Sequence, residues 1–555
     1  MIVPTAGLPT ILPALIGFIL PIASLKIKSR HFYALTTFLI SVAVLLMTGY
    51  NLALIMGTPG TVLTYAFGGW PPPLGIAYTI DFINAVLGFL TATLFTLVSA
   101  YLFWYFGRIE SGYEWMSTLT LLLLSGVLGC LYTGDIFNFF VMLEVLCISS
   151  YALVAFFRRR KWAVEASMAY AFIGALATTL FFFGVVVLYG SFGTVNIADL
   201  VVKVHGVPTQ AQYLSGWSGS CESFEWCYGN AFVSSALAVA LMLWALNFEA
   251  GIFPNNYWIP SAYTEAPTPA SALFAGIVDK VGSYGVVRVF FTLFTGFGST
   301  LMFTFGNLPF RDVVLIVLGL LGLATGYIGA FLMIAQRDVK RLLSYSTISH
   351  IGIIFTALAA GLSRYDIHVI SLSVAGILLH MVTHALGESL LFLGLGTLAT
   401  VKGSRDLNDL TGLGRRYPVL SASIVLGFLS LLGVVPLAGF FSKYLLFMSL
   451  IEANLTLHAV SIVLISGISA IGYFRVIYTL WIKQASGSNG LSGKEVTLPS
   501  IILPLMALML LGLGLTLVYG NVLNTYVEYV RNAVSLEGVL NYVKAVEEAS
   551  KILGG

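Results

Sequence analysis

Long apolar runs, separated by short polar stretches, make up most of the chain. Each run is long enough to cross about 30 Å of hydrocarbon as a helix, and none shows the two-residue alternation of a membrane β-barrel strand. The pattern therefore predicts an all-α polytopic membrane protein with about fourteen transmembrane helices. They lie at residues 4–25, 32–57, 81–106, 115–134, 136–157, 162–190, 229–258, 270–295, 312–335, 346–362, 367–400, 418–451, 458–482 and 498–520.

The composition agrees with this pattern. Of 555 residues, 58% are hydrophobic and 9% are charged, against about 25% charged in an average soluble protein. The net charge of +3 is too balanced to indicate a nucleic-acid partner. The first run has no basic region before it, so residues 1–25 are interpreted as a first span rather than a cleaved signal.

Basic residues predict the orientation in a cell membrane. Alternate loops lie on opposite sides of the membrane. The loops of one side hold seventeen lysines and arginines, whereas the loops of the other side and the tail together hold six. By the positive-inside rule, both termini should lie outside the cytoplasm. The long loop 191–228 is then external, where Cys221 and Cys227 could form a disulfide or remain two free thiols.

Five charged side chains lie deep inside the apolar runs, where each costs roughly 2.5–3.5 kcal/mol on insertion scales. An ion pair that joins two helices could explain any one of them. Eight titratable groups along the chain instead favour a proton relay, because buried carboxyls, amines and imidazoles can exchange protons near neutral pH. These groups are Glu144, Glu249, Lys280, His350, His380, His384, Glu388 and Lys443.

Three of these groups are spaced by four residues on one predicted helix. His380, His384 and Glu388 should share one helix face. Two histidines at this spacing could bind zinc, but the zincin motif needs glutamate directly after the first histidine, where this chain has Met381. We therefore assign no metal and no cofactor. Any redox chemistry would belong to another subunit, and enzymatic activity is left open.

Two predicted helices are interrupted at membrane depth. Pro254 and Pro260 should break the seventh, and Pro436 and Gly439 the twelfth. Such breaks are tolerated where they are buried in protein or line a watery cavity. Paired broken helices are typical of transporters built from inverted repeats.

The predicted organisation follows from these breaks. Two inverted five-helix repeats, helices 4–8 and 9–13, stand between a three-helix segment and a last helix. Valines at helical spacing predict an amphipathic tail, which would lie on the membrane or against a partner subunit, or fray. The segments are 1–110, 111–295, 312–482, 498–520 and the tail 521–555.

Several of these segments together resemble the antiporter-like subunits shared by respiratory complex I, Mrp-type cation/proton antiporters and membrane-bound hydrogenase-type complexes. The resemblance covers about residues 136–450, and the helix plan agrees over nearly the whole chain. The segments are FNFFVMLEVLCISSYALVA, WIPSAYTEAPTPASALFAGIVDKVGSYGVVR, QRDVKRLLSYSTISHIGI, HMVTHALGESLLFLG and PLAGFFSKYLLF.

The resemblance implies roles for particular residues. Glu144 matches the family's fifth-helix glutamate, Lys280 its eighth-helix bridging lysine, and Lys443 its twelfth-helix terminal acid/base. His350 and His384 match histidines of the family's central hydrophilic axis. Such subunits are thought to pass protons, or in some members to exchange protons for sodium.

Two positions depart from the family pattern. Glu249 and Glu388 fall where many members have lysine, so Glu144 would face a carboxyl instead of an amine. The pair could share a proton, it could bind Na⁺ between Glu144 and Glu249, or this copy could have lost translocation.

The resulting hypothesis is an ion-translocating subunit whose partners are other membrane subunits, a redox module, the lipid bilayer, and protons or Na⁺. The alternatives are a structural scaffold subunit, a component of a dedicated Mrp-type antiporter, and a free-standing solute carrier.

Overall fold

The apolar runs form long helices. The computed structural model describes residues 1–205, 231–484 and 496–554, so Cys221 and Cys227 lie outside the described residues. Within them, twelve helices are long and apolar enough to cross a membrane, or up to thirteen if one bent pair is a single span. A mostly helical polytopic membrane protein is confirmed, and the count of fourteen stays a prediction.

Helices α1 to α7 form the first part of the chain. They are α1 (Leu8–Ala23), α2 (Arg30–Gly57), α3 (Phe82–Tyr105), α4 (Tyr113–Tyr132), α5 (Ile136–Val154), α6 (Lys161–Phe192) and α7 (Ile197–His205). The next group is α8 (Ala231–Ala250), α9 (Trp258–Glu265), α10 (Thr268–Leu293), α11 (Phe310–Ile334), α12 (Val339–Ala357) and α13 (Ile367–Lys402). The last group is α14 (Leu413–Arg416), α15 (Pro418–Leu432), α16 (Ala438–Glu452), α17 (Thr456–Trp481), α18 (Pro499–Val518), α19 (Val522–Val534) and α20 (Leu536–Gly554).

A β-hairpin that the hydrophobic pattern did not predict joins α2 to α3. Strand β1 (Leu63–Ala66) pairs antiparallel with β2 (Ala77–Ile80). The amino terminus pairs beside it, since the Thr64 amide donates to the Met1 carbonyl over 2.8 Å. A second, two-residue pair joins β3 (Thr304–Phe305) to β4 (Leu308–Pro309). We call the end of the bundle that carries the β1–β2 hairpin the hairpin end.

The C-terminal tail also lies at the hairpin end, where it forms two amphipathic helices that meet at Ser535. The Phe82 ring stacks on that of Tyr529, 5.0 Å between centroids, and α20 packs against β1. The Tyr529 hydroxyl donates to the Met56 carbonyl over 2.6 Å. The apolar face of the tail therefore packs on this chain itself. Both termini lie at one end of the bundle.

The centre of the bundle is formed by α10, α12 and α13. Every residue in the most apolar stretch of α10 is buried, and nearly all of those in α12 and α13 are. Glycine permits this packing, because a Cβ on Gly282 would lie 2.4 Å from the Leu246 carbonyl oxygen of α8. A Cβ on Gly276 would lie 2.4 Å from Ser389 Oγ of α13. Helix α10 is thus held tightly between α8 and α13.

The first predicted break lies between α8 and α9. Gly251 has a left-handed φ of 78°, and the amides of Gly251 and Ile252 both donate to the Asn247 carbonyl over 3.0 Å. This is the glycine-ended helix stop known as the Schellman motif. Pro254 lies in the break, as expected. The expectation for Pro260 was wrong: it is the third residue of α9, and proline is tolerated in a first helical turn.

The second predicted break lies between α15 and α16 and has the same form. Gly433 has a φ of 87°, and the amides of Gly433 and Val434 donate to the Leu429 carbonyl over 3.1 and 3.0 Å. Pro436 lies in this break. Gly439 does not, since it is the second residue of α16. Glycine is needed there because α16 approaches α15 closely, and a Cβ on Gly439 would lie 1.8 Å from the Ser430 carbonyl oxygen.

A short backbone bridge joins the start of α5 to the segment after α6. The Ile136 amide donates to the Val195 carbonyl over 2.8 Å, and the Ile197 amide donates to the Gly134 carbonyl over 2.8 Å. The Gly134 amide donates in turn to the Ala77 carbonyl of β2 over 2.8 Å. This bridge therefore lies at the hairpin end.

A second bridge of the same pattern joins the start of α12 to the segment after α13. The Val339 amide donates to the Arg405 carbonyl over 3.0 Å, and the Leu407 amide donates to the Arg337 carbonyl over 2.9 Å. Helix α11 begins beside the hairpin end, since its Arg311 donates to the Phe290 carbonyl of α10 and the nearby Arg288 pairs with Asp81, directly after β2. It runs 25 residues before this bridge. The second bridge therefore lies at the opposite end of the bundle.

Candidate proton path

Glu249 is the second-last residue of α8, the first half of the broken α8–α9 helix, and is buried. Its carboxyl accepts from the Cys147 thiol of α5 at 3.6 Å and from the Tyr170 hydroxyl of α6 at 3.5 Å. The Tyr170 ring stacks on the Trp258 indole of α9, with 3.9 Å between centroids and 6° between planes. Two neutral donors and an aromatic stack thus surround a carboxyl that has no cation bonded to it among the described residues.

Glu144 lies on α5, three residues before Cys147, and is only half-buried. Among the described residues, no hydrogen bond or ion pair joins it to Glu249. The fifth-helix side chain that contacts Glu249 is Cys147. The facing carboxylate pair expected from the sequence is therefore not a direct contact.

Lys280 lies in the middle of α10 and is bonded to its own neighbour. Its Nζ lies 2.9 Å from Asp279 Oδ1 and 3.0 Å from Oδ2, and it donates to the Ala275 carbonyl over 2.5 Å. That carbonyl belongs to a wide π-type turn at Phe274–Val278, which releases it from ordinary α-helical bonding. Both charged groups are buried. Sequence reasoning missed Asp279, although it is a second charge in the apolar stretch GIVDKVG.

Three imidazoles meet beside α10, on α12 and α13. The His350 and His380 ring centroids are 5.2 Å apart, and those of His350 and His384 are 4.7 Å apart. His350 Nδ1 lies 3.1 Å from His380 Nε2, and His380 Nδ1 lies 3.0 Å from the Ser442 hydroxyl of α16. The structure therefore brings the three predicted histidines into one cluster.

Glu388 reaches this cluster through two hydroxyls. It accepts from Ser346 Oγ over 2.5 Å, Ser346 Oγ lies 2.6 Å from the Tyr473 hydroxyl, and that hydroxyl lies 3.2 Å from His350 Nε2. His384 Nε2 is 3.6 Å from Glu388 Oε1. Sequence reasoning missed Ser346, Tyr473 and Ser442, since hydroxyls are common in apolar helices.

Lys443 lies on the first turns of α16 and reaches back across the break. Its Nζ donates to the Leu431 carbonyl over 2.6 Å and to Ser466 Oγ over 2.7 Å, and it lies 3.4 Å from the Leu432 carbonyl. Leu431 and Leu432 are the last residues of α15. A cation is favoured at a helix carboxyl end, where unpaired carbonyls and the helix dipole both attract it.

A cluster away from the predicted path holds the end of α9. Lys340 Nζ donates to the carbonyls of Thr264 and Ala266 over 3.2 and 2.5 Å. Arg405 donates to the Thr264 carbonyl over 2.7 Å and lies 3.0 Å from Glu265 Oε1. Lys340 stands in the quoted motif RDVKRLLSYSTISHIG, and sequence reasoning counted it only among the seventeen basic loop residues that set the orientation.

Across residues 1–205, 231–484 and 496–554, no group of three or more His, Cys, Asp or Glu side chains could hold a metal ion. The imidazole nitrogens that have partners are directed at one another and at hydroxyls. What the arrangement can do is pass protons between neighbouring acids, bases and hydroxyls.

The chain matches a protein-family model described as NADH:quinone oxidoreductase/Mrp antiporter, transmembrane, over residues 133–469. It is 31% identical over 420 residues to the N subunit of the NADH-quinone oxidoreductase of Desulforudis audaxviator, covering 76% of this chain and 75% of that protein. It is 30% identical over 509 residues to a Na⁺/H⁺ antiporter subunit of Alkalihalophilus pseudofirmus, covering 90% and 92%.

A solved structure with a similar fold is a chain of the membrane-bound sulfane sulfur reductase, an archaeal respiratory membrane complex. The TM-score is 0.80 with 26% sequence identity, over 98% of this chain and 99% of that one. The path residues from Glu144 to Lys443 all lie within the family match.

Proposed function

The chain belongs to the family of transmembrane subunits shared by NADH:quinone oxidoreductases and Mrp antiporters, and we propose that protons cross the membrane along its buried titratable side chains. It is an antiporter-like, ion-translocating subunit of a multisubunit membrane complex. One observation carries the proposed route. Buried carboxyls, imidazoles, hydroxyls and an amine follow one another from Glu249 to Ser442, and Lys443 is the next residue after Ser442.

The proposed route has three stages. Protons enter near Glu144 and Glu249, cross the centre by Lys280 and the groups of α12 and α13, and leave near Lys443. The Asp279–Lys280 ion pair supports the central stage, because a charge that arrives on either side changes the stability of a buried pair held 2.9 Å apart. The central groups of α12 and α13 are His350, His380, His384 and Glu388.

Fourteen spans with both termini outside the cytoplasm are the proposed topology. The twelve long helices, the shorter apolar α1, and α15 with α16 taken as one broken span together give fourteen. Both termini lie at the hairpin end, which requires an even number of crossings. The excess of basic residues in loops at the other end supports a cytoplasmic position for that end.

Two inverted five-helix repeats are the proposed architecture, in helices 4–8 and 9–13. The two backbone bridges support it, because one has the same bonds as the other at the opposite end of the bundle. The bridges fall in GTVNIADL, residues 193–200, and GSRDLNDL, residues 403–410, which align without a gap. Each begins with a left-handed glycine, Gly193 at φ 67° and Gly403 at φ 78°.

A redox module is proposed as a partner beside the other membrane subunits. The likeness to a chain of an archaeal respiratory complex and to the N subunit of an oxidoreductase supports it. Exchange of protons for Na⁺ is the second candidate function, favoured by the relative named as a Na⁺/H⁺ antiporter subunit. A Na⁺ site between Glu144 and Glu249 gains no support from their geometry, since Glu249 contacts a thiol and a phenol.

The test is proton transport by the assembled complex in membrane vesicles, followed with a pH-sensitive dye. Lys280→Ala and Lys443→Ala should each lower the rate more than about tenfold, since each removes an acid/base group from the route. The control is Lys483→Ala, an exposed lysine bonded to Asn408, which should stay within about twofold of the unaltered protein. Unchanged transport in both of the first two variants contradicts the proposed route and favours a scaffold subunit.

A further inference from the structure

A continuous chain of side-chain hydrogen bonds crosses the second half of the bundle. Its six members come from α12, α13, α16 and α17, and none has more than 1% of its surface exposed. In order they are Glu388, Ser346, Tyr473, His350, His380 and Ser442. No gap between neighbours exceeds 3.2 Å. Such a chain can pass a proton without any movement of the backbone.

Each inner member has one partner on either side, as a relay requires. The Tyr473 hydroxyl lies between Ser346 Oγ and His350 Nε2. His350 uses its other nitrogen, Nδ1, for His380, and His380 uses its own Nδ1 for Ser442. Both imidazoles therefore stand in line with the chain, and among the described residues none of their ring nitrogens is hydrogen-bonded outside it.

Tyr473 is the link on which this chain depends. Among the described residues, no hydrogen bond joins Glu388 to His350 directly. The neighbouring His384 offers no bonded detour, because neither of its ring nitrogens has a hydrogen-bond partner in the described part of the chain. The Tyr473 ring packs against Phe428, 4.8 Å between centroids, which fixes the hydroxyl between its two partners.

We propose that Tyr473 is a proton-relay residue, whose hydroxyl passes protons between Ser346 and His350 so that Glu388 and Ser442 exchange protons through side chains alone. The inference rests on the proposed function, since it concerns the central stage of the same route. It adds residues that carry no permanent charge, and it assigns an order to the groups.

The transfer balances one proton in and one proton out at every member. Protonated Glu388 gives its proton to Ser346 Oγ, and Ser346 passes its own hydroxyl proton to Tyr473. Tyr473 gives its hydroxyl proton to His350 Nε2, and His350 releases the proton on Nδ1 to His380 Nε2.

His380 then releases the proton on Nδ1 to Ser442, and Ser442 gives up its hydroxyl proton. In the proposed route the acceptor is the neutral amine of Lys443. Among the described residues its Nζ is bonded to the Leu431 carbonyl and Ser466 Oγ and not to Ser442, so the lysine side chain must turn toward Ser442 to take this proton. Glu388 ends as a carboxylate and Lys443 as an ammonium, while the four members between Glu388 and Ser442, and Ser442 itself, remain neutral with their hydrogen bonds reversed.

Replacing the tyrosine by phenylalanine tests the link while keeping the ring. Tyr473→Phe should lower proton transport by the assembled complex more than about tenfold, because the bonded connection between Ser346 and His350 is lost. Tyr101→Phe is the matched control, since Tyr101 is also buried and bonded to one hydroxyl, Thr397 Oγ1 at 2.9 Å, away from the route. It should transport within about twofold of the unaltered protein.

A second pair of variants guards against a change in folding. Ser346→Ala removes a member of the chain, whereas Ser349→Ala removes a buried hydroxyl of the same helix that bonds to Ser469 over 3.2 Å. We expect loss of transport in the first only, with equal amounts of assembled complex in both. The amount of each variant in the purified complex is measured alongside transport.

The outcomes separate this inference from the proposed function. Transport lost in Tyr473→Phe and Ser346→Ala but kept in both controls supports the relay. Normal transport in Tyr473→Phe, with transport lost in Lys443→Ala, overturns the relay and leaves the proposed function standing. Normal transport in Lys280→Ala and Lys443→Ala overturns the proposed function itself. Equal loss in Tyr473→Phe and Tyr101→Phe also overturns the relay, since it shows a structural effect of losing a buried hydroxyl.

Discussion

The two broken helices have the same backbone and different chemistry. GIFP at residues 251–254 and GVVP at residues 433–436 align without a gap, and each glycine ends its half-helix in the same hydrogen-bonded stop. Glu249 lies two residues before the first glycine, where the second break has Leu431. Lys443 lies ten residues after the second glycine, where the first break has Ser261.

The carbonyls next to each break are satisfied by different donors. In the first break the Trp258 indole donates to the Phe248 carbonyl over 3.1 Å. In the second, the Lys443 amine donates to the Leu431 carbonyl over 2.6 Å. A repeated backbone thus creates a polar position at membrane depth twice, and the local residues decide whether an acid or a base occupies it. We infer that the two ends of the route differ in the sign of the charge they carry.

The largest effect should come from removing the acid of the first break. Glu249→Gln keeps the shape and one of the two acceptors that Cys147 and Tyr170 use, but it cannot release a proton, so transport should fall more than about tenfold. The measurement is dye-monitored proton uptake into vesicles. Glu452→Gln, a partly exposed carboxylate at the end of α16, is the control and should change little.

Full transport in Glu249→Gln would break the comparison. The first break would then have no acid/base function, and the difference between the two breaks would reflect a half of the bundle that serves only as scaffold. Loss of transport in Glu249→Gln, with normal transport in Glu452→Gln, would support the comparison. It would show that a carboxyl transfers protons at the first break, as the amine of Lys443 is proposed to do at the second.

A smaller effect is expected from the two glycines, this time on stability. Alanine in the left-handed region costs about 1–2 kcal/mol. The cost of Gly251→Ala should exceed this value, since its Cβ would lie 2.0 Å from Ile259 Cδ1. The Cβ at Gly433 would lie 3.2 Å from Lys443 Cδ. The purified complex should therefore unfold at a lower temperature with Gly251→Ala than with Gly433→Ala.

The control for the glycines is Gly467→Ala. Gly467 lies inside α17, and no atom of the described residues outside its own helix backbone lies within 4 Å of a Cβ built there, so alanine should be neutral or raise the unfolding temperature. The reverse ranking of Gly251→Ala and Gly433→Ala would show that the first break adjusts to a side chain more readily than the second.

Much of this architecture is predictable from the sequence because long apolar runs must form helices in a membrane. The deep charges are equally visible, since each is costly unless it is partnered. The hairpin at residues 63–80 was missed because its strands are only four residues long. Pro260 and Gly439 were misjudged because both lie in first helical turns, where neither disrupts a helix.

The connections within the site could not be predicted. Ser346, Tyr473 and Ser442 become members of a chain only because four helices bring them together, and spacing along one helix does not report that packing. The same holds for Cys147, which takes the place beside Glu249 that the sequence assigned to Glu144. The repeat was inferred from helix spacing, since the octapeptides at 193–200 and 403–410 are matched through the hydrogen bonds of their bridges, which the sequence alone does not contain.

The smallest effect separates two helix caps that stand at the two backbone bridges, Asp135 at the start of α5 and Asp338 at the start of α12. Burial raises the pKa of Asp135 from 3.8 to about 6. Hydrogen bonds that its carboxylate accepts from backbone amides oppose this rise. Asp338 instead lies 3.0 Å from Arg405 Nε and is partly exposed. The folded state therefore binds the Asp135 proton more tightly than the unfolded state does, so this group lowers stability as pH rises from about 4 to 6.

Asparagine at the two caps should consequently shift stability in opposite directions. At pH 7.5, Asp135→Asn removes a buried charge while keeping an acceptor for the Asn138 amide, so the complex should gain about 1 kcal/mol. The gain should disappear near pH 4, where the carboxyl is already protonated. Asp338→Asn should lose about 0.5–1 kcal/mol with its ion pair. Thermal unfolding at both pH values checks this, and shifts of the same sign at pH 7.5 would show that the two caps are electrostatically alike.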